Sequence, residues 1–387
     1  MKKIKLGDAC EILNGFAFKS ENYVGSGIRV IRISNVQKGY IEDNAPAFYP
    51  LETKGLEKYM LEEGDLLISL TGNVGRVAIL EKEFMPAALN QRVACLRLKT
   101  DKLSKRYLFH ILNSDFFEKQ CIQYSKGVAQ KNMSTAWLKD YEILLYSKEQ
   151  QELIADILDK MHLIKKLRYY ELQKLDELVK ARFVEMFGDP VENTMNWPEI
   201  FIGDKCFVTK LAGFEYTQYI DYEESGEVVM VKAQNVKNGK LNRKDLSFIS
   251  KKVSDSLPRS QLAPGDVVMT YVGANIGDVA VIDDVYKYHL APNVAKIRPN
   301  AEVYNSIYFM YMLMLLNIYI VKNSADTAKA ALGMEKIRKL KVFIPPLELQ
   351  NQFASFVEEI DKSRSRIQKS LEASQELFDS LMQEYFG

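Results

Sequence analysis

The longest apolar pattern in this chain is written twice. From Ser147 to Gly188 there is no proline, and no glycine before the last residue. Ile154, Ile157, Met161, Ile164, Leu167, Leu172, Leu175, Leu178 and Met186 recur at steps of three and four, with Lys, Glu and Asp between them. That spacing predicts an amphipathic helix, and Gly188 followed by Pro190 predicts its stop. At 1.5 Å rise per residue the helix is a rod of roughly 60 Å, beyond the usual globular length. Leu347 to Gly387 repeats the design with Phe353, Phe356, Ile360, Ile367, Leu371, Phe378, Leu381 and Tyr385. The first copy closes on Glu185-Met-Phe-Gly and the second on Glu384-Tyr-Phe-Gly. Two such rods of equal length predict burial against each other.

The stretches between the rods are also duplicated. Ile28 to Val36 alternates apolar and polar residues with β-branched side chains, predicting a half-buried strand, and Val228 to Val236 echoes it with Asn35 matching Asn235. Gly64-Asp-Leu-Leu-Ile-Ser and Gly265-Asp-Val-Val-Met-Thr each lead through a glycine turn into a second apolar run, predicting a β-hairpin. The second turn carries one extra residue. Leu89-Asn-Gln-Arg-Val pairs with Leu290-Ala-Pro-Asn-Val, and helical stretches follow near Tyr107 and Tyr308. A small polar loop and a strand, 138–145 and 337–344, then lead into each rod. The predicted organisation is a globular unit over 1–146, a rod over 147–189, a second globular unit over 190–346 and a second rod over 347–387. The fold class expected is mixed α/β (α+β).

Composition narrows the class without naming a partner. The 387 residues are 47% hydrophobic and 27% charged, as in an ordinary globular protein of two or three domains. Lys and Arg number 52 against 51 Asp and Glu, which argues against coating nucleic acid by charge alone but leaves local patches open. Cys10, Cys95, Cys121 and Cys206 are scattered and read as reduced core thiols. The N-terminus turns polar too soon for a signal peptide, and the apolar run around Ile307 to Val321 is too short to span a bilayer. The expectation is a soluble cytoplasmic protein with no membrane partner.

Catalytic constellations are missing from the sequence. His110, His162 and His289 are far apart and lack metal-ligand spacing, so no metal site is expected. There is no nucleophile elbow, Walker loop or dinucleotide fingerprint. The one Pro-Pro, Pro345-Pro346, lacks the Asn/Asp before it and the aromatic after it that a DNA amino-methyltransferase loop needs. The polar residues of the repeated loops and strands are better suited to binding. Gln130, Lys131, Asn132 and Lys329 lie in the small polar loops. Asn73, Arg76 and Asn275 lie in the glycine turns. Arg29, Arg32, Lys232, Gln234 and Asn235 lie on or beside the alternating strands, and Gln91, Arg92 and Asn293 on the later strand. These side chains contact phosphates and read base edges. For the rods, Ile154, Ile157, Met161, Ile164 and Leu175 are expected to pack against Phe353, Ile360, Ile367, Leu371, Phe378 and Leu381.

With these residues in order, twice, the chain resembles the specificity subunit of type I restriction–modification systems over essentially its whole length. The marks are the two-fold repeat, the glycine hairpin, Ile344-Pro-Pro-Leu-Glu-Leu-Gln350 and the terminal long helix. Tyr146-Ser147 stand where the second copy has Pro345-Pro346. The resemblance implies two target-recognition domains, each reading one half of a split double-stranded DNA site. It implies an antiparallel coiled coil of the long helices that sets the gap between halves. It implies two methyltransferase subunits carrying S-adenosylmethionine and two translocase–endonuclease subunits using ATP and Mg, this chain holding no cofactor and doing no catalysis. The alternative is an orphan or anti-restriction DNA-binding scaffold without methyltransferase partners.

Overall fold

The computed structural model describes residues 2–125, 131–317 and 331–386. Contacts divide the chain into two units, one of residues 1–169 and 369–387, the other of residues 170–368. The four-segment division above follows the sequence pattern; the contact units instead take a share of both long helices.

In the first unit, β1 (Lys2–Lys5) and a short turn, α1 (Leu6–Ala9), lead into β2 (Cys10–Asn14). β3 (Ile28–Ile31), β4 (Phe48–Tyr49), β5 (Leu66–Ser69), β6 (Val77–Ile79), β7 (Ala87–Leu89) and β8 (Val93–Leu98) follow. Then come α2 (Lys105–Leu112), α3 (Asp115–Tyr124), α4 (Thr135–Asp140), β9 (Glu142–Leu145) and the first long helix, α5 (Lys148–Phe187). The strands form a sheet ordered β2-β8-β5-β6 and a second ordered β4-β3-β7, while β1 pairs with β9. β5 and β6 form the predicted hairpin, in the register Leu66 to Ile79.

The second unit repeats this plan. β10 (Glu199–Phe201), α6 (Ile202–Lys205), β11 (Cys206–Lys210), α7 (Gly213–Tyr219) and β12 (Val228–Val231) open it. A small ribbon of β13 (Val236–Lys237) and β14 (Lys240–Leu241) precedes β15 (Ser247–Ile249), α8 (Lys251–Ser256) and β16 (Gln261–Leu262). β17 (Val267–Thr270), β18 (Val279–Val281), β19 (Lys287–Leu290) and β20 (Val294–Pro299) complete the sheets ordered β11-β20-β17-β18 and β15-β12-β19-β16. α9 (Ser306–Leu315), α10 (Met334–Arg338), β21 (Lys341–Phe343) and the second long helix, α11 (Leu347–Phe386), end the chain.

Three sequence expectations change. The strands at Ile28 and Val228 are four residues long, and their apolar side chains are fully buried. The reason is that both faces are covered: Ile28 and Val30 enter one cluster and Ile31 another. The spans 138–145 and 337–344 begin as the ends of short helices, and only their later residues are strand. Finally, α5 buries Gln151, Ile154, Ala155, Leu158 and Met161, whereas Ile164, Leu167 and Leu178 are exposed. Apolar residues occupy more than one face of α5, so periodicity alone does not say which stripe is covered. Ile157 and Leu175 are half-buried, as are Ile360, Ile367, Phe378 and Leu381, while Phe353 and Leu371 are buried.

Each long helix is fastened at both ends. Gln151 is fully buried; its Oε1 accepts from Ser104 N at 2.7 Å, and its Nε2 donates to Lys102 O and Tyr146 O at 2.9 Å. Gln350 does the same with Asn305 N, Val303 O and Pro345 O, all at 2.9 Å. The closing phenylalanines explain the repeated Phe-Gly. Phe187 packs in the second unit on Tyr308, at 4.6 Å between ring centres, with Phe183 and Phe353 beside it. Phe386 packs in the first unit on Tyr107, at 5.6 Å. Within each unit the helix segments run antiparallel: Lys165 lies over Phe378 in the first, and in the second Arg364 pairs with Asp176 while Phe183 meets Phe353.

The repeated Gly-Asp motif is structural. Gly64 and Gly265 take positive φ of 83° and 87°, which glycine adopts without strain. Asp65 receives Arg97 through Nε at 2.9 Å and Nη2 at 2.8 Å, and Asp266 receives Arg298 through Nε at 2.5 Å and Nη2 at 2.7 Å. Each pair ties β5 or β17 to the neighbouring β8 or β20.

Candidate nucleic-acid interface

The strand topology gathers loops at one end of each unit. β3 runs parallel to β7, with Ile31 opposite Leu89, so the segments after both strands emerge together. Gln91 N donates to Phe16 O at 2.9 Å, and Leu70 N donates to Arg92 O at 2.9 Å. Leu70 O in turn accepts from Met133 N at 2.8 Å, and Thr71 bridges to Asn132. Phe16, Arg92, Thr71 and Asn132 therefore stand on four adjacent backbone rows, each spaced by roughly 4.8 Å. Gly15 makes the approach possible, since a Cβ there would meet the Asn90 carbonyl at 2.2 Å.

The second unit repeats three of these rows. β12 runs parallel to β19, with Val231 opposite Leu290. Tyr271 N donates to Asn293 O at 3.0 Å, Leu332 N donates to Tyr271 O at 2.8 Å, and Val272 bridges to Ala331. Ligands of α/β sheets commonly sit beyond the carboxyl ends of parallel strands.

Of the sequence candidates, Asn73, Gln91, Arg92, Lys131 and Asn132 share the first cluster, and all five are exposed. The side chains of Gln91, Arg92, Lys131 and Asn132 form no hydrogen bond or ion pair with the described residues. Asn275 and Asn293 are exposed in the second cluster, with Gln234 on the loop after β12. Asn293 holds a positive φ of 70°, a conformation asparagine tolerates better than most residues.

Five candidates are held elsewhere. Arg29 pairs with Asp43 and lies over Phe48, 4.8 Å from its ring centre. Arg32 turns its Nη2 back to Ala45 O. Arg76 donates from Nη1 to Gln37 Oε1 at 2.5 Å. Lys232 Nζ donates to Ser247 Oγ at 2.9 Å. Asn235 is buried and staples its own loop, accepting from Lys232 N at 3.1 Å and donating to Asn242 O at 2.9 Å. The matching Asn35 accepts from Arg32 N and donates to Glu42 O, both at 2.9 Å. A residue that recurs at equivalent places can recur because the loop needs it. Gln130 and Lys329 lie outside the described residues.

Sequence reasoning overlooked Lys210, which ends β11 with its Nζ 5.4 Å from the Tyr271 ring centre. The cue was available, since Tyr271 replaces the Leu70 of the first copy. Beside the turn, burial raises the Asp278 carboxyl above its ordinary range, against the opposing charge of Lys237. The four cysteine thiols are buried, and burial raises those of Cys10, Cys121 and Cys206 to about 12. Among the described residues no group of three or more His, Cys, Asp or Glu side chains is placed to hold a metal ion. Among them also, no helix is long and apolar enough to cross a membrane.

The profile of the type I restriction modification DNA specificity domain matches residues 1–176 and again 195–375. The chain belongs to that family. It is 23% identical over 396 residues to the type I restriction enzyme EcoBI specificity subunit of Escherichia coli, covering 95% of this chain and 81% of that one. The fold matches the type I restriction–modification S subunit from M. genitalium with a TM-score of 0.59 at 15% identity, over 100% of this chain and 96% of that one. A chain from a structural study of complex assembly and conformational transition of the type I R-M system gives 0.61 at 15% identity, over 100% and 97%.

Proposed function

We propose that this chain is the DNA sequence-recognition subunit of a type I restriction–modification complex. Residues 1–146 and 190–346 each read one half of a bipartite double-stranded site. The helices over 147–189 and 347–387 set the spacing and dock two methyltransferase subunits. Two restriction–translocation subunits complete the assembly in the cytoplasm, and S-adenosylmethionine, ATP and Mg belong to these partners. This chain performs no catalysis itself. The observation that carries the reading is the pair of loop clusters that share three backbone rows, each presenting exposed polar side chains with no hydrogen-bond or ion-pair partner among the described residues. Such side chains make direct contacts to base edges and phosphates. The near-neutral net charge of +1 fits a subunit whose partners supply much of the phosphate clamp.

Sequencing genomic DNA for N6-methyladenine in cells with and without the gene tests the reading. A bipartite motif that vanishes on deletion supports it, and unchanged methylation refutes it. Exchanging residues 1–146 for another recognition domain should change one half of the motif only. Inserting four residues between Leu172 and Leu178 should lengthen the gap or abolish recognition; an unchanged gap with full activity counts against the spacing role.

A further inference from the structure

The two clusters differ in chemistry at one equivalent position. Arg92 and Asn293 each give their carbonyl oxygen to the amide that follows the first hairpin strand, Leu70 N at 2.9 Å and Tyr271 N at 3.0 Å. Both residues are exposed, and neither side chain has a hydrogen-bond or ion-pair partner among the described residues. The next row sharpens the contrast. Lys131 and Asn132 flank the turn in the first unit, where Ala331 occupies the place of Asn132 in the second. A guanidinium makes its best base contact as a fork to guanine O6 and N7, and a carboxamide makes its best contact to adenine N6 and N7.

Resting on the reading that each globular domain takes one half-site, we propose that Arg92 reads a guanine in the half bound by residues 1–146 and Asn293 reads an adenine in the half bound by residues 190–346. The scaffold thus presents one backbone position twice and assigns the base through the side chain placed there. The adenine in question is a base other than the one that receives the methyl group, since a base flipped out of the stack for methylation is not read in the groove. A good bidentate contact discriminates by roughly 5- to 150-fold between right and wrong bases.

The test uses the full chain assembled with its own methyltransferase subunits, with the methylated motif read by sequencing. The half belonging to each domain is assigned by the exchange of residues 1–146. Arg92→Ala should make one guanine position of the first half degenerate and leave the second half as it was, so the second half reports that the chain still folds. Arg92→Lys keeps the charge but loses the fork, and should relax the same position. Asn293→Ala should relax one A·T pair of the other half, and Asn293→Arg should shift that position toward G·C. A wild-type motif with no guanine in the first half overturns the assignment. So does a variant whose methylation falls uniformly with the motif unchanged, which identifies a phosphate contact. If Arg92→Ala abolishes methylation, competition binding with duplexes carrying each of the four base pairs decides, and a retained G·C preference overturns the assignment. A wild-type chain that directs no methylation overturns the functional reading along with it, whereas a directed motif indifferent to both residues overturns this inference alone.

Discussion

Gln350→Leu removes the clamp that joins the start of the second long helix to its domain. The side chain is fully buried and makes three hydrogen bonds to backbone groups. Leucine has a similar volume, so cavity and transfer effects are small, and the loss comes from stranding Asn305 N, Val303 O and Pro345 O. At about 1 kcal/mol for each stranded group, the low end of the orphan penalty, the cost is about 3 kcal/mol. For a unit the size of residues 170–368 that corresponds to a fall in Tm of about 6–12 °C. Differential scanning calorimetry of the full chain measures it, with exposed Gln352→Leu as the control. Gln350→Glu keeps the shape but removes both donors and buries a carboxylate, whose folded pKa rises above the unfolded value near 4.3. The folded state then holds an extra proton, so the destabilisation is largest at neutral pH and shrinks as pH falls toward 4. A Gln350→Leu chain within about 0.5 kcal/mol of wild type, or no worse than Gln352→Leu, refutes the clamp.

Asp266→Ala leaves Arg298 without its carboxylate and Ala263 N without its acceptor; because Arg298 is half exposed, the expected loss is about 2 kcal/mol in urea unfolding, and a loss below about 0.5 kcal/mol contradicts it. Burial lowers the pKa of His110, against the pull of Asp159, and likewise lowers that of His289. Folded protein therefore binds fewer protons than unfolded, and this stability is complete above about pH 6.5 and is lost as pH falls through it. His289→Leu should flatten the stability–pH slope below about pH 6.5, and an identical slope would show that His289 contributes nothing. Gly15→Ala places a Cβ 2.2 Å from the Asn90 carbonyl and should displace the turn bearing Gln91 and Arg92. Fluorescence anisotropy of labelled duplex with the assembled complex should then show weaker binding than for Gly25→Ala, whose Cβ meets nothing within 4 Å; equal affinities would place the turn away from DNA.

What could be read from the sequence and what could not divide along a physical line. The long helices were legible because a 3.6-residue period sustained over forty residues has no competing conformation, and they run from Lys148 to Phe187 and from Leu347 to Phe386. The hairpins were legible because Gly72, Gly75, Gly273 and Gly277 hold positive φ between strands. Burial at a given position was not legible, because it depends on which partner arrives: Leu158 is covered and Ile164 is not, although both fit an apolar stripe. The same limit governs the interface. Asn235 and Asn293 are equally plausible base readers on paper, yet Asn235 spends both its oxygen and its amide on its own loop, whereas among the described residues Asn293 spends neither. The backbone positions recur through the fold, and the free side chains mark where the two domains are at liberty to differ. Arg92 against Asn293 is such a difference, and it lies on a row that both domains build with the same backbone hydrogen bond.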